Sequence, residues 1–306
     1  MNKKIINSAF FNVSLFSLFW AIEIIIAKLA YEAGAEPVAF TVQVSVLTLV
    51  FLTIFILPRK YQEIRKIKSK VIWMLVLANA VHYGLGSFFS QLGIAYTSAI
   101  NAGFLSKFAL ITTVFFAWVI LKEKLTIQKV LAVIAMFFGS FLISTKGQLI
   151  IPQLGDLLII CACFSWSLGN VFIRKVMINN KKVSGDIVSF LKPLSGIPVI
   201  LLIIFLSPMY PESMREIFAV DFFNFDHLHY AVLVALALST MWIFLNRGLQ
   251  FGTASYMTMM SMSTSVLVAV IAIIFLGERM ELVQVAGALL IISAGFITHY
   301  LKISDQ

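Results

Sequence analysis

Four ionisable residues stand inside long apolar stretches of the sequence: Glu23, His82, Lys107 and Lys192. A charged side chain in hydrocarbon costs several kcal/mol, so it is usually kept only where it faces water, a partner or a ligand. A carboxylate and an ammonium group can bind the two ends of a zwitterion, and an imidazole can take up a proton near neutral pH. These residue types therefore point to the handling of a solute or a proton inside a membrane.

Glu23 and Lys107 are predicted to reach one level of the membrane. At about 1.5 Å per residue, Glu23 lies roughly 22 Å and Lys107 roughly 21 Å from the inner ends of their helices. Three interpretations stay open. Glu23 and Lys107 form a structural ion pair, or each gives up the other as a partner and binds one end of a zwitterion such as an amino acid. In the third interpretation Glu23 carries a coupling proton.

His82 is the second candidate for a coupling proton, or else a hydrogen-bonded packing residue. Asn79, His82 and Gly86 share one helix face. Lys192 either snorkels to the cytoplasmic interface or lines an inner vestibule. The full set of predicted substrate-binding residues is Trp20, Glu23, Asn79, His82, Tyr83, Lys107, Trp166, Asn170, Lys192, Trp242, Asn246 and Tyr256.

Ten apolar spans must position these residues. The sequence is 60% hydrophobic and only 12% charged, which is too little polar surface for a soluble chain of 306 residues. About 20 apolar residues cross the hydrocarbon core as a helix. The fold class predicted is an all-α integral membrane protein with spans at 8–31, 37–57, 71–92, 99–121, 126–145, 155–174, 186–207, 229–247, 253–276 and 281–301.

The net charge of +9 is explained by membrane topology. With ten spans both termini lie on one side, and that side collects 17 of the 23 lysines and arginines. The positive-inside rule predicts that this side, with both termini, is cytoplasmic, in a plasma membrane or inner membrane. The expected partners are a small-molecule substrate and membrane lipids, with no nucleic acid; monomer and homodimer both stay open.

The chain repeats itself. The segment that starts at Gly93 matches the one that starts at Gly248, and Glu123 matches Glu278, both at an offset of 155 residues without a gap (248 − 93 and 278 − 123). Five helices are an odd number, so the second copy enters the membrane from the opposite side, which is typical of secondary transporters. The predicted units are 1–150 and 151–306.

A known pattern accompanies the repeat. Trp20 precedes Lys28 by eight residues, Tyr96-Thr97-Ser98-Ala99 opens the fourth span, and Leu276-Gly277-Glu278-Arg279 is followed by Gly287-Ala288-Leu289 and Gly295. The chain resembles the EamA-type ten-helix proteins of the drug/metabolite transporter superfamily over nearly its whole length. The resemblance implies a helical bundle with a central cavity, cytoplasmic termini and alternating-access movement of a small organic solute.

Three positions depart from that pattern. Glu23 stands where many relatives have Gly or Ser, Gln43 where many have Arg, and Lys107 replaces a common Pro in the fourth span. These departures concern the substrate more than the fold.

The predicted function is a secondary active transporter, an exporter or exchanger of an amino acid or related metabolite. The sequence has no Walker-type loop for ATP. A flippase of a lipid-linked sugar is the alternative, and an intramembrane enzyme with His82 and Glu23 as acid and base is a further one, although it lacks a nucleophile or metal cluster. Cys161 and Cys163 lie on different helix faces. The sequence thus predicts no enzyme, no metal and no cofactor.

Overall fold

The computed structural model describes residues 8–97, 104–149, 153–212, 224–276 and 279–300, together with Arg215, Phe218 and Asp221. Within these ranges nine helices are long and apolar enough to cross a membrane, and a shorter apolar helix covers Ser106–Leu121. The uninterrupted helices are α1 (Ala9–Glu32), α2 (Pro37–Arg65), α5 (Ile127–Thr145), α6 (Leu154–Asn179), α7 (Gly185–Phe205), α8 (Leu228–Phe251) and α10 (Leu282–Tyr300). The predicted all-α membrane fold is confirmed.

Three helices change their winding inside the bundle. Helix α3 runs as an α-helix over Ser69–Asn79, a π-helical segment over Ala80–Leu85 and an α-helix over Gly86–Ala95. Helix α4 is described from a 3₁₀ turn at Ser106–Phe108 through Ala109–Phe116 to a π-helical end at Ala117–Leu121, and α9 consists of Ala254–Ser261 and Ser263–Leu276. Irregular turns of this kind are frequent at functional sites. Two of them carry predicted site residues, His82 and Lys107.

Local sequence signals explain several helix ends. The Ser8 side chain accepts a hydrogen bond from the amide of Phe11, and the Thr126 side chain accepts one from the amide of Lys129. Both are N-caps, which satisfy amides that have no partner in the first turn. Helix α5 ends at Lys146, whose φ of 55° is left-handed. The predicted start of the fifth span at residue 126 thus coincides with its cap.

Helix α2 is longer than its predicted span. It ends at Arg65 rather than near residue 57, and Pro58 lies inside it. Its last two turns carry Arg59, Lys60 and Arg65, and Lys60 pairs with Glu63 at 2.8 Å. The hydropathy pattern ends where the apolar residues end, whereas the hydrogen-bonded backbone continues into the polar segment.

The two five-helix halves interdigitate. The most extensive contacts between helices join α1 to α8, α5 to α10 and α3 to α6, in each case one helix from each half. Where α5 meets α10, Gly139 and Gly287 lie backbone to backbone, because a Cβ on either one would clash with the carbonyl oxygen of the other. A movement of one half against the other therefore changes interfaces throughout the bundle.

Glu123 connects the α4–α5 junction to a different helix from the one expected. Its carboxylate accepts hydrogen bonds from the amides of Ala254 (2.9 Å) and Ser255 (3.3 Å), the first residues of α9. The sequence predicts that Glu123 complements the dipole of the helix that follows it. The carboxylate instead serves the helix start in the other half of the chain, where a negative charge is equally favourable. Its repeat mate Glu278 lies outside the described residues.

Candidate functional site

Lys192, His82 and Trp242 form a cluster in which the two ionisable side chains are buried and the tryptophan is partly exposed. The Lys192 side chain is fully buried and its Nζ lies 3.1 Å from His82 Nδ1. The same Nζ lies 4.3 Å from the centre of the Trp242 ring, and the His82 and Trp242 rings meet edge to face at 5.5 Å. We call these three residues the sealed cluster. They come from α7, α3 and α8.

Both predictions for Lys192 are wrong. The side chain neither snorkels to an interface nor lines an open vestibule, since none of it is exposed. It points across the bundle to α3 and α8, where an imidazole nitrogen and an indole face are available. An ammonium group over an aromatic face gains electrostatic energy from the ring quadrupole. That gain offsets part of the cost of keeping the group away from water.

Glycines bring the helices of the sealed cluster close together. A Cβ at Gly169 of α6 would overlap the Cβ of His82, and a Cβ at Gly196 of α7 would overlap the Tyr83 ring. Gly86 in turn lies against the Trp166 indole. Only a residue without a side chain permits this approach. Of these glycines, the sequence argument singled out Gly86 alone.

Several polar atoms around the sealed cluster lack a hydrogen-bond partner among the described residues. They are Asn79 Oδ1, Asn170 Oδ1, Trp242 Nε1 and Asn246 Oδ1. Asn79 stands one turn before His82, and Asn246 one turn after Trp242. Buried polar atoms in native proteins are nearly always bonded, so each exception calls for an explanation such as water or a ligand. The sealed cluster therefore has spare capacity for hydrogen bonding.

Trp20, Glu23 and Lys107 form a second group, which we call the half-buried cluster. Lys107 Nζ lies 5.2 Å from the centre of the Trp20 ring, and Glu23 follows Trp20 by one helical turn. Both Glu23 and Lys107 are partly exposed. Among the ion pairs of the described residues there is none between Glu23 and Lys107. The structural ion pair considered from the sequence is therefore not formed.

Tyr83 packs against the sealed cluster. Its hydroxyl shares a hydrogen bond of 2.7 Å with Ser45 of α2, and its ring is 6.0 Å from the Trp242 ring. The buried tyrosine thus contacts the sealed cluster through its ring and α2 through its hydroxyl.

The remaining predicted site residues separate into two groups. Asn246 donates a hydrogen bond to Ser189 (3.0 Å), one turn before Lys192, and Asn170 follows Gly169. Both belong to the surroundings of the sealed cluster. Tyr256 does not: its hydroxyl is 2.8 Å from His299 Nδ1 of α10. Its hydrogen bond to α10 thus leads away from both clusters.

Two cavities of the bundle lie elsewhere. One of about 30 Å³ is lined by mainly apolar side chains of α2, α3 and α7, together with Phe218, and one of about 290 Å³ lies between α4 and α5. Neither is lined by a predicted site residue. The part of the chain that the structure describes contains no group of three His, Cys, Asp or Glu side chains that could hold a metal ion.

Comparison with known proteins places this arrangement in a family. The sequence model of the EamA-like transporter family matches residues 7–145 and again residues 153–299. The chain belongs to the EamA-like transporter family. The suspected resemblance is confirmed, and the protein is a multi-pass membrane protein of the drug/metabolite transporter type. The two matches fall on the first and the last five helices.

A solved crystal structure supports the fold of this EamA-family chain. It aligns with a TM-score of 0.78 over 96% of each chain, at 14% sequence identity. At that identity the likeness concerns the fold alone. No curated protein matches the sequence significantly. The substrate must therefore be argued from the site.

Proposed function

We propose that this EamA-family protein is a secondary active transporter that exports or exchanges an amino acid or a related zwitterion across the cytoplasmic membrane. The observation that carries the proposal is the half-buried cluster. Lys107 lies over the Trp20 ring, Glu23 follows Trp20 by one turn of an apolar helix, and the two charged side chains do not form an ion pair.

The argument rests on the cost of charge in a membrane. Two opposite charges within reach of each other in a protein interior gain from pairing, because an uncompensated buried charge is expensive. Glu23 and Lys107 remain separate and partly exposed, so each keeps its capacity for an external partner. A zwitterion satisfies both: its carboxylate binds Lys107 and its ammonium group binds Glu23. Trp20, and Trp166 beside Gly86, supply apolar walls for the remainder of the substrate.

The rest of the proposal concerns movement and orientation. The units 1–150 and 151–306 rock against each other about the clusters, which gives alternating access as in other inverted-repeat transporters. The basic loops lie in the cytoplasm together with both termini. Coupled movement of solutes needs neither a chemical step nor a cofactor, so the protein is not an enzyme in this proposal.

Counterflow of a labelled amino-acid mixture in liposomes that contain the purified protein tests the proposal. We expect exchange by the wild type and only a small residual exchange by Lys107→Ala, because the variant lacks the group that binds the carboxylate. Lys182→Ala is the matched control, since Lys182 is an exposed lysine in the α6–α7 loop, and it should exchange like the wild type. Size-exclusion chromatography shows whether each variant is folded.

Wild-type exchange by a folded Lys107→Ala protein would contradict the role of Lys107. Absence of exchange by the wild type itself would remove the amino-acid assignment. The same liposomes would then be tested with lipid-linked sugars, the alternative substrate class for a bundle of this kind.

A further inference from the structure

The zwitterion proposal assigns no role to the sealed cluster, yet this cluster holds a fully buried amine inside the bundle. From the 3.1 Å contact between Lys192 Nζ and His82 Nδ1, enclosed by Trp242, we infer that these two residues together bind the proton that couples transport. The inference rests on the proposed transport function and assigns its driving ion. Of the two candidates for the coupling proton, the inference therefore favours His82, together with Lys192, and not Glu23.

Hydrogen counting limits the pair to two states. At 3.1 Å only one hydrogen fits between the nitrogens, so one of them must offer a lone pair. The neutral pair is an amine beside an imidazole. The singly charged pair is an ammonium group that donates to Nδ1 of an imidazole protonated on Nε2. A second added proton would place two donors against each other, so the pair takes up and releases one proton.

The neighbours of the pair favour an exchangeable proton over a fixed charge. No carboxylate in the described ranges forms a hydrogen bond or an ion pair with either nitrogen. A carboxylate partner would hold the ammonium charge permanently. The Trp242 face stabilises the charged state more weakly, so the neutral state remains within reach.

The polar residues that neighbour the pair along its helices are uncharged. Asn79 and Tyr83 neighbour His82 on α3, Ser189 lies one turn before Lys192 on α7, and Asn246 of α8 donates a hydrogen bond to Ser189. The charged residues of the helices packed around the pair lie toward the helix ends: Arg59, Lys60, Glu63, Arg65, Lys70, Asp156, Arg174, Lys175, Asp186 and Arg247. Of these, Asp186 and Arg247 pair with each other.

A route for coupling to the substrate is also present. Trp166, a proposed wall of the substrate site, lies against Gly86, which is four residues after His82 on α3. A change of charge at His82 and Lys192 therefore occurs about one helical turn from the proposed substrate site. The unpartnered oxygens of Asn79 and Asn246 are acceptors that can receive water when the halves separate and the proton enters or leaves.

Proton movement in liposomes tests the inference. A pH-sensitive dye trapped inside reports protons that cross when an amino-acid gradient is imposed. We expect a signal from the wild type and its loss in His82→Gln and Lys192→Met, and the proton signal of each variant is compared with the counterflow that the same variant retains. Lys129→Met is the matched control, because Lys129 is also almost fully buried but lies at the start of α5, away from the pair.

Proton binding itself is measured without any substrate. The emission of Trp242 should change as the pair titrates, so wild-type fluorescence should contain a pH-dependent component that Trp242→Phe lacks. Lys192→Met and His82→Gln should lose the same component, and Lys129→Met should keep it. This titration also applies to a variant that transports poorly.

The outcomes separate the two proposals. Wild-type counterflow without proton movement would overturn the inference and leave the transporter proposal standing, as would coupled proton movement that persists in both variants. Absence of counterflow by the wild type would instead remove the proposed substrate, and the fluorescence titration would still decide whether the pair binds a proton. A pH-dependent component that survives in both variants, or that is absent from the wild type, would contradict proton binding at the pair.

Discussion

Two lysines of this bundle lie over tryptophan rings, and their surroundings differ. In the half-buried cluster Lys107 is partly exposed and lies 5.2 Å from the Trp20 ring. Glu23 follows Trp20 by one turn of α1. In the sealed cluster Lys192 is 4.3 Å from the Trp242 ring, fully buried, with a histidine as its partner. In our proposals the same contact therefore serves a partly exposed charge that binds a substrate and a buried charge that exchanges a proton.

The difference arises because the two halves repeat the same helices but do not carry charged residues at the same positions. Trp20 corresponds to Trp166 at an offset of 146 residues (166 − 20). The same offset makes Gly169 the residue of the second repeat that corresponds to Glu23. Gly169 is the residue against which His82 packs. At the offset of 155 (262 − 107) Lys107 corresponds to the buried Met262. One half thus carries the charges of the half-buried cluster, and the other supplies the small and apolar residues at the matching positions.

The largest expected effect concerns the charge of the half-buried cluster. Glu23→Gln should raise the apparent KM for amino-acid counterflow about 10- to 100-fold, because a hydrogen bond to a charged group contributes about 1.5–3 kcal/mol. The variant should fold normally. Counterflow over a range of concentrations measures the change, and a KM equal to that of the wild type would contradict the contact between Glu23 and the substrate.

The next effect concerns the close packing that seals the other cluster. Gly169→Ala should lower the free energy of unfolding by about 1–3 kcal/mol, since the new methyl group overlaps His82 and the carbonyl of Ala78. Gly295→Ala is the matched control, because its nearest neighbour would be 3.8 Å away. Thermal unfolding in detergent distinguishes them. Equal stability of the two variants would show that α3 and α6 are not packed as described.

Tyr83 packs against the sealed cluster, and its hydrogen bond offers a third test. Ser45→Ala leaves the buried Tyr83 hydroxyl without its partner and should cost about 1–2 kcal/mol of stability. Tyr83→Phe removes the hydroxyl as well and should cost less. Thermal unfolding of both variants decides the order, and a more stable Ser45→Ala protein would indicate that the hydroxyl has another acceptor.

The smallest effect compares the two lysines directly. Lys192→Met should raise the Tm by roughly 2–4 °C, about 1 kcal/mol, because it removes a fully buried amine that has no carboxylate partner. Lys107→Met should change the Tm less, since Lys107 is already partly hydrated. Differential scanning fluorimetry measures both. A lower Tm for Lys192→Met than for Lys107→Met would reverse the assignment of sealed and half-buried.

Much of the architecture is predictable from the sequence. The apolar spans locate the helices because hydrocarbon thickness sets their length, and the gapless match of Glu123 to Glu278 reveals the repeat. The end of α2 at Arg65 is missed because a helix that leaves the membrane no longer needs apolar residues. The π-helical segment around His82 also has no signal in the hydropathy pattern.

The pairing of site residues is less predictable. Glu23 and Lys107 are expected at one depth, but depth does not give rotation about the helix axis, and they do not pair. His82 and Lys192 are 110 residues apart, and their contact depends on how α3 and α7 are turned toward each other. Gly169 and Gly196 set that orientation. A glycine has no side chain, so its role in orienting two helices cannot be predicted from the hydropathy or charge pattern.

The central claim is that Lys107 and Glu23 bind opposite ends of one substrate, and it is tested most directly with altered substrates. Counterflow is measured for the wild type, Lys107→Ala and Glu23→Gln in the presence of three competing compounds. They are an amino acid, the amine that lacks its carboxylate, and the acid that lacks its amino group. The wild type should prefer the intact amino acid. The residual transport by Lys107→Ala should no longer distinguish the intact amino acid from the amine. The residual transport by Glu23→Gln should no longer distinguish the intact amino acid from the acid. Unchanged preference in both folded variants would contradict the account.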